Sequence, residues 1–239
     1  MNPNFKKVSF LILTLLFTNC GSNRLFMKQK MAFTENFNDP ETFQKNWIDN
    51  SWKSPALHQL ENNHLKIKTR PNTEDRVKVR SKNTFTTGSY TWRIFIPEFK
   101  LYEQVSIGAF LYHNEKEEFE FDFEIGSGKK ADREKINLKD DEAIVFCVSQ
   151  FSPSNSSHFW VKMEEYHNFT MQLLDVDGFY FVKWFINDTL IKELQTEVKS
   201  NIKFKAHCSL ENLFFMGDKP PTKENYVLFD FFEYKKKTD

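Results

Sequence analysis

Hydrophobic and polar residues alternate in short runs along most of the chain. From Phe33 onward, turn-forming residues separate these runs, and no long stretch has the 3.6-residue period of an amphipathic helix. Residues 65–68 and 77–80 alternate strictly, as strands with one buried face do. Residues 129–142 are charged and are expected to form a loop, and turns are expected at 175–178 and 187–188. The pattern predicts an all-β domain.

The most regular run is Phe-Glu-Phe-Asp-Phe-Glu-Ile at residues 119–125. Because side chains on a strand alternate between faces, Glu120, Asp122 and Glu124 share one face and the apolar residues share the other. Carboxylates about 6–7 Å apart along a strand repel one another, so stability alone does not explain the row. Two interpretations remain open: a pair of carboxyl groups that cleaves a glycosidic bond, or an edge strand kept soluble by its acids.

The catalytic interpretation sets a geometric condition. The Cα atoms of Glu120 and Glu124 are about 13 Å apart on a straight strand. Their carboxyl groups approach each other only if a twisted, concave sheet lets the side chains lean together. Asp122 lies between them, where it can share a proton with one glutamate and help keep Glu124 protonated by repulsion.

Residues 120–124 resemble the Glu-x-Asp-x-Glu signature of family-16 glycoside hydrolases, and flanking segments resemble the same family in the same order. The resemblance extends from residue 33 to residue 234. The similar segments are Phe37-Asn-Asp39 with Trp47, residues 88–97, residues 108–112, residues 166–170, residues 184–188 and residues 227–232.

This resemblance implies a concanavalin A-like jelly roll, in which two antiparallel sheets form a β-sandwich. It also implies a retaining hydrolase of a β-linked polysaccharide, either a glucan or a galactan. Glu120 would be the nucleophile, Glu124 the acid and then the base, and Asp122 the assisting carboxylate.

The resemblance places Arg93 in the sugar cleft, although a salt bridge to a neighbouring acid is an equal alternative for this residue. A hairpin leading into the acidic strand would put Tyr112 at the floor or wall of the cleft. Sugar rings stack on aromatic faces, so tryptophans are further candidates, with core positions as the alternative. Trp184 is favoured by its place in the family pattern, ahead of Trp92 and Trp160.

Three departures from the family pattern support an alternative function, a non-catalytic carbohydrate-binding or surface structural module on the same fold. Thr91 replaces an acid, and the segment between Pro97 and Gly108 is short and lacks tryptophan. The acidic strand also follows Glu117-Glu118 rather than a glycine-rich approach.

The N-terminus predicts export. Lys6-Lys7, an apolar run at residues 8–17 and a small or polar stretch have the layout of a signal peptide over residues 1–20. Cys20 at its end resembles the lipidated cysteine of bacterial lipoproteins. Residues 21–32 would be a tether before the domain at 33–239. The protein would then be lipid-anchored, or periplasmic or secreted if Cys20 carries no lipid.

The net charge, the histidines and the cysteines limit the classes of ligand that the protein can bind. The 239 residues have a formal net charge of zero, which argues against nucleic acid. The six histidines lack metal-ligand spacing, so we expect no cofactor or catalytic metal; a structural calcium would involve Asp39 and Asp230. Cys147 and Cys208 lie in apolar runs and are expected to be buried free thiols rather than a disulfide. We expect a monomer that binds a polysaccharide or oligosaccharide.

Overall fold

The computed structural model describes residues 32–115, 117–151 and 153–237. The predicted signal peptide, the lipidation at Cys20 and nearly all of the predicted tether lie outside the described residues. Ala32, the last residue assigned to the tether, is the first residue of the first strand.

Fifteen strands make up most of the described chain. In chain order they are β1 (Ala32–Glu35), β2 (Trp47–Asp49), β3 (His58–Glu61), β4 (His64–Thr69), β5 (Arg76–Ser81), β6 (Gly88–Ile96), β7 (Ser106–Asn114), β8 (Glu118–Gly126), β9 (Glu142–Gln150), β10 (Asn155–Lys162), β11 (Glu165–Val176), β12 (Phe179–Ile186), β13 (Thr189–Lys199), β14 (Lys205–Glu211) and β15 (Asn225–Lys236). The helices are α1 (Pro40–Asn46) and α2 (Lys130–Lys135), and a 3-10 helix covers Phe214–Met216.

The strands form two antiparallel sheets. One has the strand order β13-β12-β11-β6-β15-β4-β3, with β1 also paired to β15. The other has seven strands in the order β10-β9-β8-β7-β14-β5-β2. The consecutive strands β7–β10 pair within one sheet and β11–β13 within the other, whereas the first and last strands of the domain, β1 and β15, lie side by side. This arrangement confirms the predicted all-β, two-sheet sandwich of the jelly-roll type.

The core lies between the two sheets and is rich in aromatic rings. Alternation supplies it directly: in β4 and β5 every second residue is buried, while the residues between them face outward. The largest fully buried side chains include Trp47, Trp92, Trp184, Tyr90 and Tyr180, together with several phenylalanines. Burial of apolar surface is the dominant favourable contribution to folding, and each large aromatic side chain supplies a large share of that surface.

The predicted turns are present. Between β11 and β12, Asp177 and Gly178 have φ angles of 53° and 83°, and the Gly178 amide donates to the Asp175 side chain at 2.9 Å. Between β12 and β13, Asn187 and Asp188 have φ angles of 48° and 65°. Asn, Asp and Gly tolerate this left-handed conformation, which closes tight hairpins.

Alternation did not predict the two helices. The Asp39 side chain caps α1 by accepting from the backbone of Glu41 and Thr42, and Pro40 is at its first turn. The expected loop at residues 129–142 contains α2, so that part of the prediction was wrong. Buried Arg133 holds α2 in place by donating to the carbonyl groups of Ser127 and Glu142 at 2.6 and 2.9 Å.

Cys147 and Cys208 are buried and free, as predicted. They lie on strands of the same sheet, and burial raises the pKa of both thiols. Within residues 32–237, no helix is both long enough and apolar enough to cross a membrane.

Candidate active site

The acidic strand β8 lies in the interior of the seven-stranded sheet. It pairs with β7 on one side, where Glu120 is opposite Tyr112, and with β9 on the other, where Glu120 is opposite Gln150. The alternative of a soluble edge strand was therefore wrong, because both edges of β8 are hydrogen-bonded. An interior strand with a row of carboxyl groups calls for another explanation.

The two faces of β8 are divided as the alternation predicts. Phe119, Phe121, Phe123 and Ile125 all belong to the core between the sheets. Glu120 and Glu124 lie on the outer face and line a cavity of about 570 Å³. Both carboxyl groups can therefore reach one ligand bound in this cavity.

Asp122 lies between the two glutamates and is fully buried. One of its oxygens accepts from the Gln150 amide at 3.1 Å, while the other has no partner among the described residues. Burial, followed by repulsion from Glu120 and Glu124, raises the pKa of Asp122 well above its usual value. The protonated form of Asp122 is therefore favoured more strongly than that of an exposed aspartate.

Of the two glutamates that line the cavity, Glu124 has the more strongly shifted pKa. Burial and then the negative charge of Glu211 raise its pKa to about 8, although a hydrogen bond from the Ser106 hydroxyl opposes this shift. At neutral pH most Glu124 side chains are protonated. This is the state that a general acid requires.

Glu120 has a lower pKa than Glu124. Burial raises the pKa of Glu120 to about 7, contact with the Asp122 carboxyl lowers it, and Glu211 raises it again. The positive charge of Lys78 lowers the pKa of both glutamates. Near pH 7 Glu124 is therefore largely protonated and Glu120 about half ionised, which is the division of roles that acid-assisted displacement needs.

Lys78 and Glu211 were not identified from the sequence. Lys78 is on β5 and its ammonium group lies 3.4 Å from Glu211 on β14, and both residues line the cavity. The alternation at residues 77–80 indicated that Lys78 faces outward. It did not indicate which strands would lie beside β5.

Tyr112 is placed where the sequence prediction put it. It lines the cavity, and its hydroxyl donates to Glu118, the first residue of β8. Burial raises the pKa of Tyr112, so it remains a neutral donor and acceptor throughout the physiological range. An aromatic ring with a polar edge suits a wall that contacts sugars.

Arg93 is far from the cleft, which corrects its assignment as a sugar contact. It is on β6, in the other sheet, and its exposed side chain forms a salt bridge of 3.0 Å with Asp230. The alternative salt bridge is thus present, but its partner is not an acid of β8. Thr91, two residues earlier, hydrogen-bonds Thr170 on the same outer face, so its departure from the family pattern does not bear on the cleft.

The prediction that Trp184 or Trp92 contacts sugar was also wrong, because both are fully buried in the core. The Trp184 indole donates to the backbone carbonyl of Asp122 at 3.2 Å, so it supports the acidic strand from behind. Trp160 is exposed and lies on the outer face of the seven-stranded sheet, but it does not line the cavity. The tryptophan that does line it is Trp52, 56% exposed, which sequence reasoning missed.

The two aspartates considered for calcium have other partners. Asp39 caps α1, and Asp230 pairs with Arg93 and lies 3.8 Å from His64. The described residues contain no group of three or more His, Cys, Asp or Glu side chains arranged to hold a metal ion.

Solved structures with this architecture are numerous. The laminarinase catalytic domain of Thermotoga maritima superimposes with a TM-score of 0.65 at 12% identity, covering 88% of this chain and 99% of the other. The fold is that of the β-glucanases. The Bacillus licheniformis β-glucanase gives 0.63 at 13% identity, covering 88% and 100%.

LamA from Zobellia galactanivorans, solved with laminaritriose and laminaritetraose, gives a TM-score of 0.63 at 12% identity and covers 87% of this chain and 99% of the other. No protein-family model matches the sequence, and no curated protein does either. The similarity is therefore one of fold, and it extends over nearly the whole length of these structures.

Proposed function

We propose that this protein is a retaining glycoside hydrolase that cleaves a β-linked polysaccharide. The observation that carries the proposal is the cavity on the outer face of β8, which is lined by both Glu120 and Glu124 above the buried Asp122. Retaining glycosidases use two such carboxyl groups with different protonation states.

The order of the two pKa values supports the proposed roles. Glu124, with the higher pKa, donates its proton to the glycosidic oxygen, while the ionised Glu120 attacks the anomeric carbon and forms a glycosyl ester. Glu124 then removes a proton from water, which attacks the ester and releases the sugar with its original configuration. Asp122, whose raised pKa favours the protonated form, would stabilise the Glu120 carboxylate as it leaves.

This assignment predicts the pH dependence of activity. Glu120 must be ionised and Glu124 protonated, so the rate rises as pH passes about 7 and falls as pH passes about 8. No metal takes part in the proposed reaction. The fold supports the proposed substrate class, because structures with this fold include a laminarinase and a β-glucanase.

The test is reducing-sugar release by the full-length protein from a panel of β-glucans and β-galactans. Glu120→Gln and Glu124→Gln are expected to lose activity, whereas Glu165→Gln, on the other sheet, serves as the matched control. The anomer released first, followed by NMR, reports retention or inversion. Azide added to Glu120→Ala and Glu124→Ala separates nucleophile from acid, because the two variants give glycosyl azides of opposite configuration.

The alternative, a non-catalytic carbohydrate-binding module, makes a different prediction. A folded protein that binds a glycan but releases no reducing ends from any member of the panel would be a binding module and not a hydrolase. Release that persists at the native rate in both glutamine variants would refute the roles assigned to Glu120 and Glu124.

We also propose that the protein acts outside the cytoplasm, because residues 1–20 have the layout of a signal peptide. Lipidation at Cys20 predicts that a labelled fatty acid is incorporated into the native chain and not into Cys20→Ser. Incorporation into both would contradict the assignment of Cys20.

A further inference from the structure

Three cationic side chains stand in a row on β5, beside the cavity of the candidate active site. Val77 and Val79 are fully buried in the core, so Arg76, Lys78 and Arg80 lie on the outer face, and we call these three residues the basic wall. Like charges about 6–7 Å apart along a strand repel one another. As with the acids of β8, stability alone does not explain such a row.

The basic wall has fewer carboxylates than cations. Within the described part of the chain, Glu211 alone has a carboxylate within 4 Å of these side chains, 3.4 Å from Lys78 and 3.9 Å from Arg76. Arg80 donates instead to the neutral Asn50 amide at 2.9 Å. Two positive charges therefore remain uncompensated, in a chain whose formal net charge is zero.

The acids of β8 neutralise only part of this excess near pH 7. Burial raises the pKa of Glu124 to about 8 and that of Glu120 to about 7, so Glu124 is largely protonated and Glu120 about half ionised. Glu118 also lines the cavity, where its carboxylate accepts from the Tyr112 hydroxyl. This half of the outer face consequently presents positive charge to a ligand that enters the cavity. Oxyanions are the ligands that closely spaced Arg and Lys side chains bind best.

His207 is an independent sign that a polar ligand binds here. Its ring is 2% exposed, lines the cavity and stacks on Phe110 with ring centroids 4.4 Å apart. Neither ring nitrogen has a hydrogen-bond partner among the described residues. Burial, and then the charges of Lys78 and Arg80, lower the pKa of His207 well below its usual value. A neutral imidazole of this kind offers one donor and one acceptor, as a sugar hydroxyl requires.

Trp52 adds an aromatic ring beside the basic wall. Its exposed ring lines the cavity, with the Arg76 guanidinium 5.0 Å from the ring centroid. An aromatic face accepts the apolar side of a sugar ring, while the adjacent cations accept a charged substituent of the same sugar. β5 is three strands from β8, or about 14 Å at the usual strand spacing. The sugar at the basic wall is thus separate from the bond that Glu120 and Glu124 would cleave.

We propose that the polysaccharide substrate is anionic and that the basic wall binds its sulfate ester or carboxylate groups, while His207 and Trp52 contact the same sugar. This inference rests on the proposed hydrolase function and names its substrate class. Sulfate esters and carboxylates are both oxyanions attached to a sugar ring. They occur in different polymers, so the choice of polymer distinguishes them.

The test measures binding and cleavage separately. Full-length Glu120→Gln is titrated with matched pairs of polymers: a sulfated β-galactan and its desulfated product, and a uronate-containing β-glucan and its carboxyl-reduced product. Arg76→Gln and Arg80→Gln are added to the same background. Arg93→Gln is the matched control, because it removes the same charge from the outer face of the other sheet. Native protein is assayed for hydrolysis of all four polymers.

We expect one anionic polymer to bind about tenfold or more tightly than its neutral partner, with the advantage falling as salt rises. Arg76→Gln and Arg80→Gln should each reduce that advantage about tenfold, and Arg93→Gln should leave it unchanged. The polymer pair that shows the effect identifies sulfate or carboxylate as the group bound.

Equal binding of the anionic and neutral members, or a preference that the Arg76 and Arg80 variants retain, would overturn the inference. Cleavage of neutral polymers without any anionic preference would do the same while leaving the hydrolase intact. Tight, wall-dependent binding of an anionic polymer that native protein does not cleave would support the binding site and refute the hydrolase.

Discussion

Replacing Glu124 by glutamine should stabilise the protein in a pH-dependent way. The pKa of Glu124 is about 8 in the folded protein against a usual value of 4.5, because burial and Glu211 oppose its ionisation. A raised carboxyl pKa favours the folded state fully below pH 4.5, and this contribution is lost as pH rises through about 8. The loss is about 1.4 kcal/mol per pH unit over that range, on the order of 5 kcal/mol in total. Glutamine does not ionise and has no such loss.

The assay is urea unfolding followed by tryptophan fluorescence, at pH 5 and at pH 9. Glu124→Gln should have nearly native stability at pH 5 and a free energy of unfolding larger than native by roughly 3–5 kcal/mol at pH 9, with an unchanged m-value. Glu165→Gln, an exposed residue at the start of β11 in the other sheet, controls for the loss of a negative charge. A difference between variant and native that is the same at both pH values would refute the reasoning that burial sets the protonation of this site.

Three further changes test the surroundings of the acidic strand. Glu211→Gln should move the pH profile of kcat/KM to lower pH, because it removes a negative charge that raises the pKa of both proposed catalytic glutamates. A profile that is unchanged or shifted to higher pH would contradict this. Gly126→Ala should lower the free energy of unfolding, measured in urea, by about 1–3 kcal/mol, because its new Cβ clashes with the backbone carbonyl of Val105. Unchanged stability would show that the backbone shifts to relieve this clash at little cost. Trp184→Phe should lower the free energy of unfolding by about 1–3 kcal/mol, because the backbone carbonyl of Asp122 loses its indole hydrogen-bond donor. An unchanged free energy of unfolding would show that this hydrogen bond does not stabilise the protein.

Local patterns in the sequence were sufficient for the fold class and for the acidic strand. Alternation with a period of two placed the phenylalanines of β8 in the core and its acids on the opposite face. Turn residues located the hairpins, because Asn, Asp and Gly adopt left-handed backbone conformations that other residues avoid. The helices escaped prediction because both are short, and their caps and buried arginine are single residues rather than a repeated pattern.

Which strands lie side by side was decided by the tertiary structure alone. Alternation shows that a residue faces outward, but not from which of the two sheets. The cleft assignments of Arg93 and Trp184 therefore came from the family resemblance alone. The structure places Arg93 on the outer face of the other sheet and Trp184 in the core. The basic wall and Glu211 reach the acidic strand only because β14 pairs with both β5 and β7, a long-range contact that no local sequence signal records. The sequence determined the chemistry of each strand face, and the order of strands in the sheet determined which chemistries meet.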